Sequence, residues 1–89
     1  AVVVADTHGR AWRVGIAGVA IGVAGIAPLH DHAGERDPAG YELRASTVAV
    51  ADELAAAADL VMQKTARVPA VVAARLRLLS SPSVAVIRL

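Results

Sequence analysis

The stretch from Val14 to Leu29, VGIAGVAIGVAGIAPL, carries no charge and decides the fold. It imitates a membrane span and contains Gly18-x-x-x-Gly22, the spacing of transmembrane helix dimers. At 16 residues it is too short, because a span needs about 20 residues, and its glycines would weaken a helix in water. Period two organises it better. Gly18, Ala20, Gly22 and Ala24 line one face, while Val19, Ile21 and Val23 line the other. The spacing predicts a buried strand over about residues 17–26 with one smooth side, where a backbone or a ligand can approach closely.

On the amino-terminal side, Val2-Val3-Val4 is a β-branched run ending at Asp6-Thr7-His8-Gly9-Arg10. It reads as a strand that delivers polar groups at a turn. On the other side, Pro28 to Gly40 is punctuated by Pro and Gly and crowded with charge, the pattern of a loop. A short strand at Tyr41 to Arg44 would close it. Ser46 or Thr47 is the expected cap of an Ala-rich helix running to about Gln63, with Asp52 and Glu53 early and Lys64 and Arg67 just past its end. Val50, Leu54, Ala58 and Val61 form its expected apolar stripe. Pro69 to Ala74 and Ser83 to Leu89 are the last candidate strands. The expected class is α+β, a mixed sheet with one long Ala-rich helix, divided into residues 1–74 and a divergent tail, 75–89, that is an extra strand or a junction.

The chain has 89 residues and no Cys or Phe. It is one small domain or a piece of one, and neither a disulfide scaffold nor a Cys-ligated metal module. Alanine supplies 21 of its residues, so its core buries little area at roughly 25 cal/mol per Å². Marginal stability is expected, with something else covering its apolar face. Beginning at Ala1 with an apolar run, it reads as a segment of a longer polypeptide. Acidic residues concentrate in 31–53 and basic ones in 64–89, for a net charge of +1. Nucleic-acid binding favours a strongly basic surface with stacking aromatics, and only Trp12 and Tyr41 are aromatic. No signal-peptide pattern is present. The expectation is a cytoplasmic protein without nucleic-acid or membrane partners.

Asp6-Thr7 is the leading chemical candidate, two hard oxygen donors of the kind magnesium or manganese prefers. The alternative is that Asp6 only closes a turn through its own backbone. His30-Asp31-His32, with His8, could ligate a transition metal or be solvated loop residues. Asp31, Glu35, Asp37 and Glu42 could form a second cation site, an acid-base pair or a solvated acidic loop. Arg10 and Arg13, flanking Trp12, could hold a phosphate or carboxylate, or make ordinary surface pairs. No P-loop, dinucleotide fingerprint or nucleophile elbow occurs.

Four blocks in order add a family resemblance: DTHGRAWR (6–13), VAIGVAGI with Pro28-Leu29 (19–29), DPAGYEL (37–43) and VAVADELAAAADLVM (48–62). Together they resemble the second half of the coenzyme F420-0:L-glutamate ligase family, in register from about Val4 to Ala70. The resemblance implies part of a larger two-part ligase fold. It implies an enzyme that uses GTP and Mg2+ or Mn2+ to add L-glutamate by γ-linkage to coenzyme F420-0, working as a homodimer. It further implies Asp6 and Thr7 as metal ligands, and a GTP-contacting segment at Met62, Gln63, Lys64, Thr65, Ala66, Arg67, Val68 and Pro69. Arg10 and Arg13 remain anion or substrate contacts in this reading.

The chain departs from the family pattern at His8 and Ala11. It also has Gln63 where the family has Gly, and Lys64, whose charged ammonium can touch phosphate but not ligate a cation. Past Ala70 the resemblance fades. The amino-terminal half is missing, so these residues alone are expected to lack ligase activity. Two other readings stand: a degenerate structural remnant without nucleotide binding, and a small membrane-associated interaction module built on residues 14–29.

Overall fold

The computed structural model describes residues 1–44, 46–74 and 80–86. Strand β1 (Val2–Gly9) and strand β2 (Ile16–Ile26) form an antiparallel hairpin. Strands β3 (His30–Asp31) and β4 (Thr47–Val48) form a second, two-stranded antiparallel pair. Helix α1 (Val50–Met62) follows, and β5 (Ser80–Val86) adds to the first sheet, whose order is β1-β2-β5. The class is α+β. Every pairing among the described residues is antiparallel, which corrects the expected mixed sheet. The long connections that a parallel pair needs are used here for β3, β4 and α1 instead.

Strand β2 is where expected, with its smooth side against the helix. A Cβ placed on Gly18 would lie 2.8 Å from the Ala55 carbonyl oxygen, so only glycine admits the helix backbone this closely. The strict period-two face does not survive along the whole strand. The ladder pairs Val4 with Gly22 and Ala5 with Ala20, leaving Ile21 as a bulge. That extra residue shifts the alternation by one, so the buried positions run Gly18, Ala20, Val23 and Ile26. A second irregularity at Gly25, where φ is +83°, separates Ala24 from Ile26 in the β2–β5 register.

The described β2–β5 pairing reaches only to Gly22, and beyond it the helix supplies an acceptor: Ala20 N–H donates to Asp52 Oδ1 at 2.9 Å. Ala51 N–H donates to the Pro28 carbonyl at 3.1 Å. With Asp52 over Ala20 and Ala55 over Gly18, α1 runs back along β2 toward the end where β2 begins. Its buried residues are Ala51 and Ala55, with Leu54 partly buried. The predicted stripe is therefore rotated: Val61 is 58% and its neighbour Leu60 80% exposed. Two small residues win the contact because the opposing glycine and alanine surface is flat and close.

Other boundaries also move. Asp6 to Gly9 belong to β1 rather than to a turn, and the turn is residues 10–15. The helix is capped by Ala49 with no side-chain hydrogen bond, because Thr47 is committed to β4. His30–Asp31 is a strand within the expected loop, while Tyr41 to Arg44 reduces to a bridge between Arg36 and Glu42. Residues 69–74 form no strand. The Ser83–Leu89 strand begins earlier, at Ser80, and its residues 87–89 lie outside the described residues, as do 75–79 of the tail.

The core is small: Ala20, Val23, Ile26, Ala51 and Ala55. No large side chain among the described residues is fully buried, while Val2, Val4, Trp12, Val14, Leu60 and Val72 stand exposed. This matches the composition argument for a thin core.

Candidate functional site

Among the described residues β1 pairs only with β2, leaving its outer edge open. In an antiparallel ladder alternate residues turn N–H and C=O away from the partner strand. Thr7 is one of these, since its N–H donates to Asp6 Oδ1 at 2.7 Å. The exposed Asp6 carboxylate is thereby folded toward the open edge, with its second oxygen available. This is the local, backbone-satisfying bond of the turn alternative, made on a strand.

The side chains of Asp6 and Thr7 leave opposite faces of the strand. Asp6 lies across from Val19, and Thr7 across from Gly18, on the face that α1 covers. The strand edge is the one locus flanked by side chains from both faces. Two hard oxygens at such an edge suit a hard cation that takes few protein ligands and leaves its other positions to phosphate and water.

A second acidic residue shares this neighbourhood. The Cβ position of Gly18 is 3.3 Å from Asp59 Cβ, so Asp59 packs over the residue opposite Thr7. Sequence reading passed over Asp59 among four consecutive alanines and other helix formers; helical spacing of four from Ala55 is the signal that would have found it. Met62 is three residues further along, under one turn of helix. The segment 62–69 thus departs from α1 at the end of the molecule that carries Asp6 and Thr7.

That segment is irregular and largely exposed. Gln63 closes the helix with φ 55° and ψ 175°, donating its N–H to the Asp59 carbonyl at 2.9 Å. Arg67 also has positive φ, 56°. Lys64 and Arg67 are exposed, and among the described residues neither forms an ion pair. Thr65, Ala66, Val68 and Pro69 lie between and beyond them. Arg10 and Arg13 belong to the β1–β2 turn, where Arg10 reaches the Val14 carbonyl at 3.5 Å and Trp12 is fully exposed. Arg10, Trp12 and Arg13 line a shallow concavity.

The acidic loop resolves into separate roles. Asp31 Oδ1 accepts from Ala33 N–H, and Asp37 Oδ1 from Ala39 and Tyr41 N–H. Those are turn-closing bonds rather than a shared cation site. Glu35 instead joins His30 and His32, and His8 stays out of that group.

A family model described as F420-0:gamma-glutamyl ligase matches residues 1–75. Curated relatives named coenzyme F420:L-glutamate ligase match as well. That of Methanothermobacter thermautotrophicus is 58% identical over 81% of this chain and 29% of its own length. That of Methanocaldococcus jannaschii is 51% identical over 68% of this chain and 24% of its own. The Methanopyrus kandleri relative is 49% identical over 80% and 29%. The chain therefore spans less than a third of the length of the curated relatives it matches.

Proposed function

The chain belongs to the F420-0:gamma-glutamyl ligase family, and from that premise we propose that it forms the metal and nucleotide end of a GTP-dependent ligase. The substrates in this reading are coenzyme F420-0, L-glutamate and GTP, and the product carries a γ-linked glutamate. The whole enzyme works in the cytoplasm as a homodimer. Among the described residues no helix is long and apolar enough to cross a membrane, and Ile16–Ile26 of the apolar run form β2.

The observation that supports this reading is the convergence at one end of the molecule. The β1–β2 register places Thr7 across from Gly18, Asp59 packs over Gly18, and segment 62–69 leaves the helix one turn later. Thr7 and Asp59 thus lie on the helix-covered face near the start of a positively charged, exposed segment, with Asp6 next along the strand. The reaction class is phosphorylation of a carboxylate followed by amide formation. A carboxylate oxygen attacks the γ-phosphorus and GDP leaves; the glutamate amine then attacks the acyl carbon, phosphate leaves and the nitrogen loses a proton. A bound Mg2+ or Mn2+ would neutralise the triphosphate charge. Asp6 and Thr7 would hold that ion at the β1 edge. Lys64 and Arg67 would meet phosphate oxygens, and the backbone of 62–69 would contact the guanine nucleotide. Arg10 and Arg13 would receive an anionic substrate group.

A second reading, a remnant that keeps the fold without nucleotide binding, is favoured by Gln63 in a conformation suited to glycine. Thermal unfolding of the full-length polypeptide with GTP and Mg2+ separates the two. A rise in the midpoint that grows with GTP concentration is the expected result; a midpoint indifferent to GTP would support the remnant.

A further inference from the structure

Independently of the ligase reading, we propose that His30, His32 and Glu35 form a second metal site, for a borderline divalent transition ion of the zinc class. Their ligand atoms lie within 4.8 Å of one another. The two imidazole rings stack with centroids 4.0 Å apart and planes 5° from parallel. One carboxylate oxygen serves both: Glu35 Oε2 is 3.3 Å from His30 Nε2 and 2.5 Å from His32 Nδ1.

The backbone fixes all three positions. His30 in β3 and His32 just past its end are two apart in the extended chain and so share a face. β3 pairs with β4, and the ladder continues with His32 N–H donating to the Ser46 carbonyl at 2.8 Å. The chain then folds back: Glu35 N–H donates to the His32 carbonyl at 2.9 Å, with Gly34 at φ +87° in the turn. Leu43 closes the other side, accepting from Gly34 and donating to the Glu35 carbonyl. Asp31, which leaves the opposite face, is occupied by Ala33 N–H.

Donor chemistry selects the ion. Two imidazoles and one carboxylate suit zinc, cobalt, nickel or copper, whereas the all-oxygen pair at Asp6 and Thr7 suits magnesium or manganese. Around a tetrahedral ion with bonds of about 2.0–2.1 Å, neighbouring donors stand about 3.3 Å apart. The His30–Glu35 separation already has that value, and the His32–Glu35 pair reaches it when the exposed Glu35 side chain turns to admit the ion. Three protein ligands leave the fourth position to water. The bound ion would pin the turn of this hairpin.

The test is zinc binding by the full chain, measured by calorimetry with Zn2+ alone and by the visible spectrum of Co2+ as a reporter. One ion per chain is expected, with four-coordinate Co2+ bands. His30→Ala with His32→Ala is expected to weaken binding about 100-fold, and Glu35→Ala at least about 10-fold, since even supporting residues of metal ligands cost about 10–100-fold. Wild-type protein supplies an arm that needs no variant: Zn2+ shifts the ring resonances of His30 and His32 and leaves those of His8 in place. Uptake only at millimolar Zn2+, uptake surviving the double substitution or indifferent to Glu35→Ala, or equal shifts at His8 would each overturn the proposal.

Discussion

At Gln63 the backbone sits at φ 55° and ψ 175°, a region populated almost only by glycine, where other residues are strained by about 1–3 kcal/mol. Gln63→Gly is therefore expected to stabilise the protein by about 1 kcal/mol after the greater chain entropy of glycine is discounted; the denaturant midpoint measures it, and an unchanged or lower midpoint would remove the strain argument. Asp52 is the converse case. Its Oδ1 accepts the Ala20 N–H, so Asp52→Ala is expected to cost about 1–2 kcal/mol, the range for stranding a partly buried donor. Asp52→Asn, whose amide oxygen can accept the same bond, is expected to lose less than half of that. Equal losses for both would mean that charge, not the hydrogen bond, matters. The resemblance shows Gln63 as a departure from glycine, yet a period-based reading has no means of placing the helix on the strand, so Asp52 looks like an ordinary first-turn acid until that packing is known.

Between elements, the decisive contact is α1 on β2. The apolar run and its smooth side are legible from alternating small residues, and the helix from its alanines and early acids. Which helical face touches the strand is not legible, because an alanine-rich helix offers several near-equivalent faces and the choice falls to the shape of the partner. Ala51 and Ala55 win over Leu60 and Val61 because Gly18 lets backbone meet backbone. Gly18→Ala is expected to destabilise by about 1–3 kcal/mol, since the new methyl would meet a carbonyl oxygen rather than a yielding side chain. Gly9→Ala, where nothing lies within 4 Å, is the control and is expected to change the urea midpoint little. Comparable losses at both positions would contradict the close approach. The strand boundaries failed where tertiary pairing overrode local signals: Gly9 ends β1 because β2 continues to pair with it, and Thr47 gives up a capping role to β4.

For the molecule as a whole, five buried residues do not make a large core. Trp12 and Val14 at one hairpin, Leu60 and Val61 in the last turn of the helix, and Val72 beyond it are apolar surface of the kind that other protein normally covers. The chain spans 24–29% of the length of its relatives, and within the ligase reading the remaining part of the enzyme provides that cover. These 89 residues alone are accordingly expected to show no GTP- and glutamate-dependent ligation, whereas the full-length polypeptide does. Turnover by the isolated chain would refute the division of labour proposed for it.

The central claim is that the open edge of β1 presents Asp6 and Thr7 to the ion that accompanies GTP. Its most direct test is a manganese titration of the full-length protein with GTP present, followed by electron paramagnetic resonance, in wild type and Asp6→Ala. The expected result is an affinity for Mn2+ at least about tenfold weaker in the variant, with the fold unchanged by circular dichroism. Superimposable titration curves for the two proteins would contradict the claim.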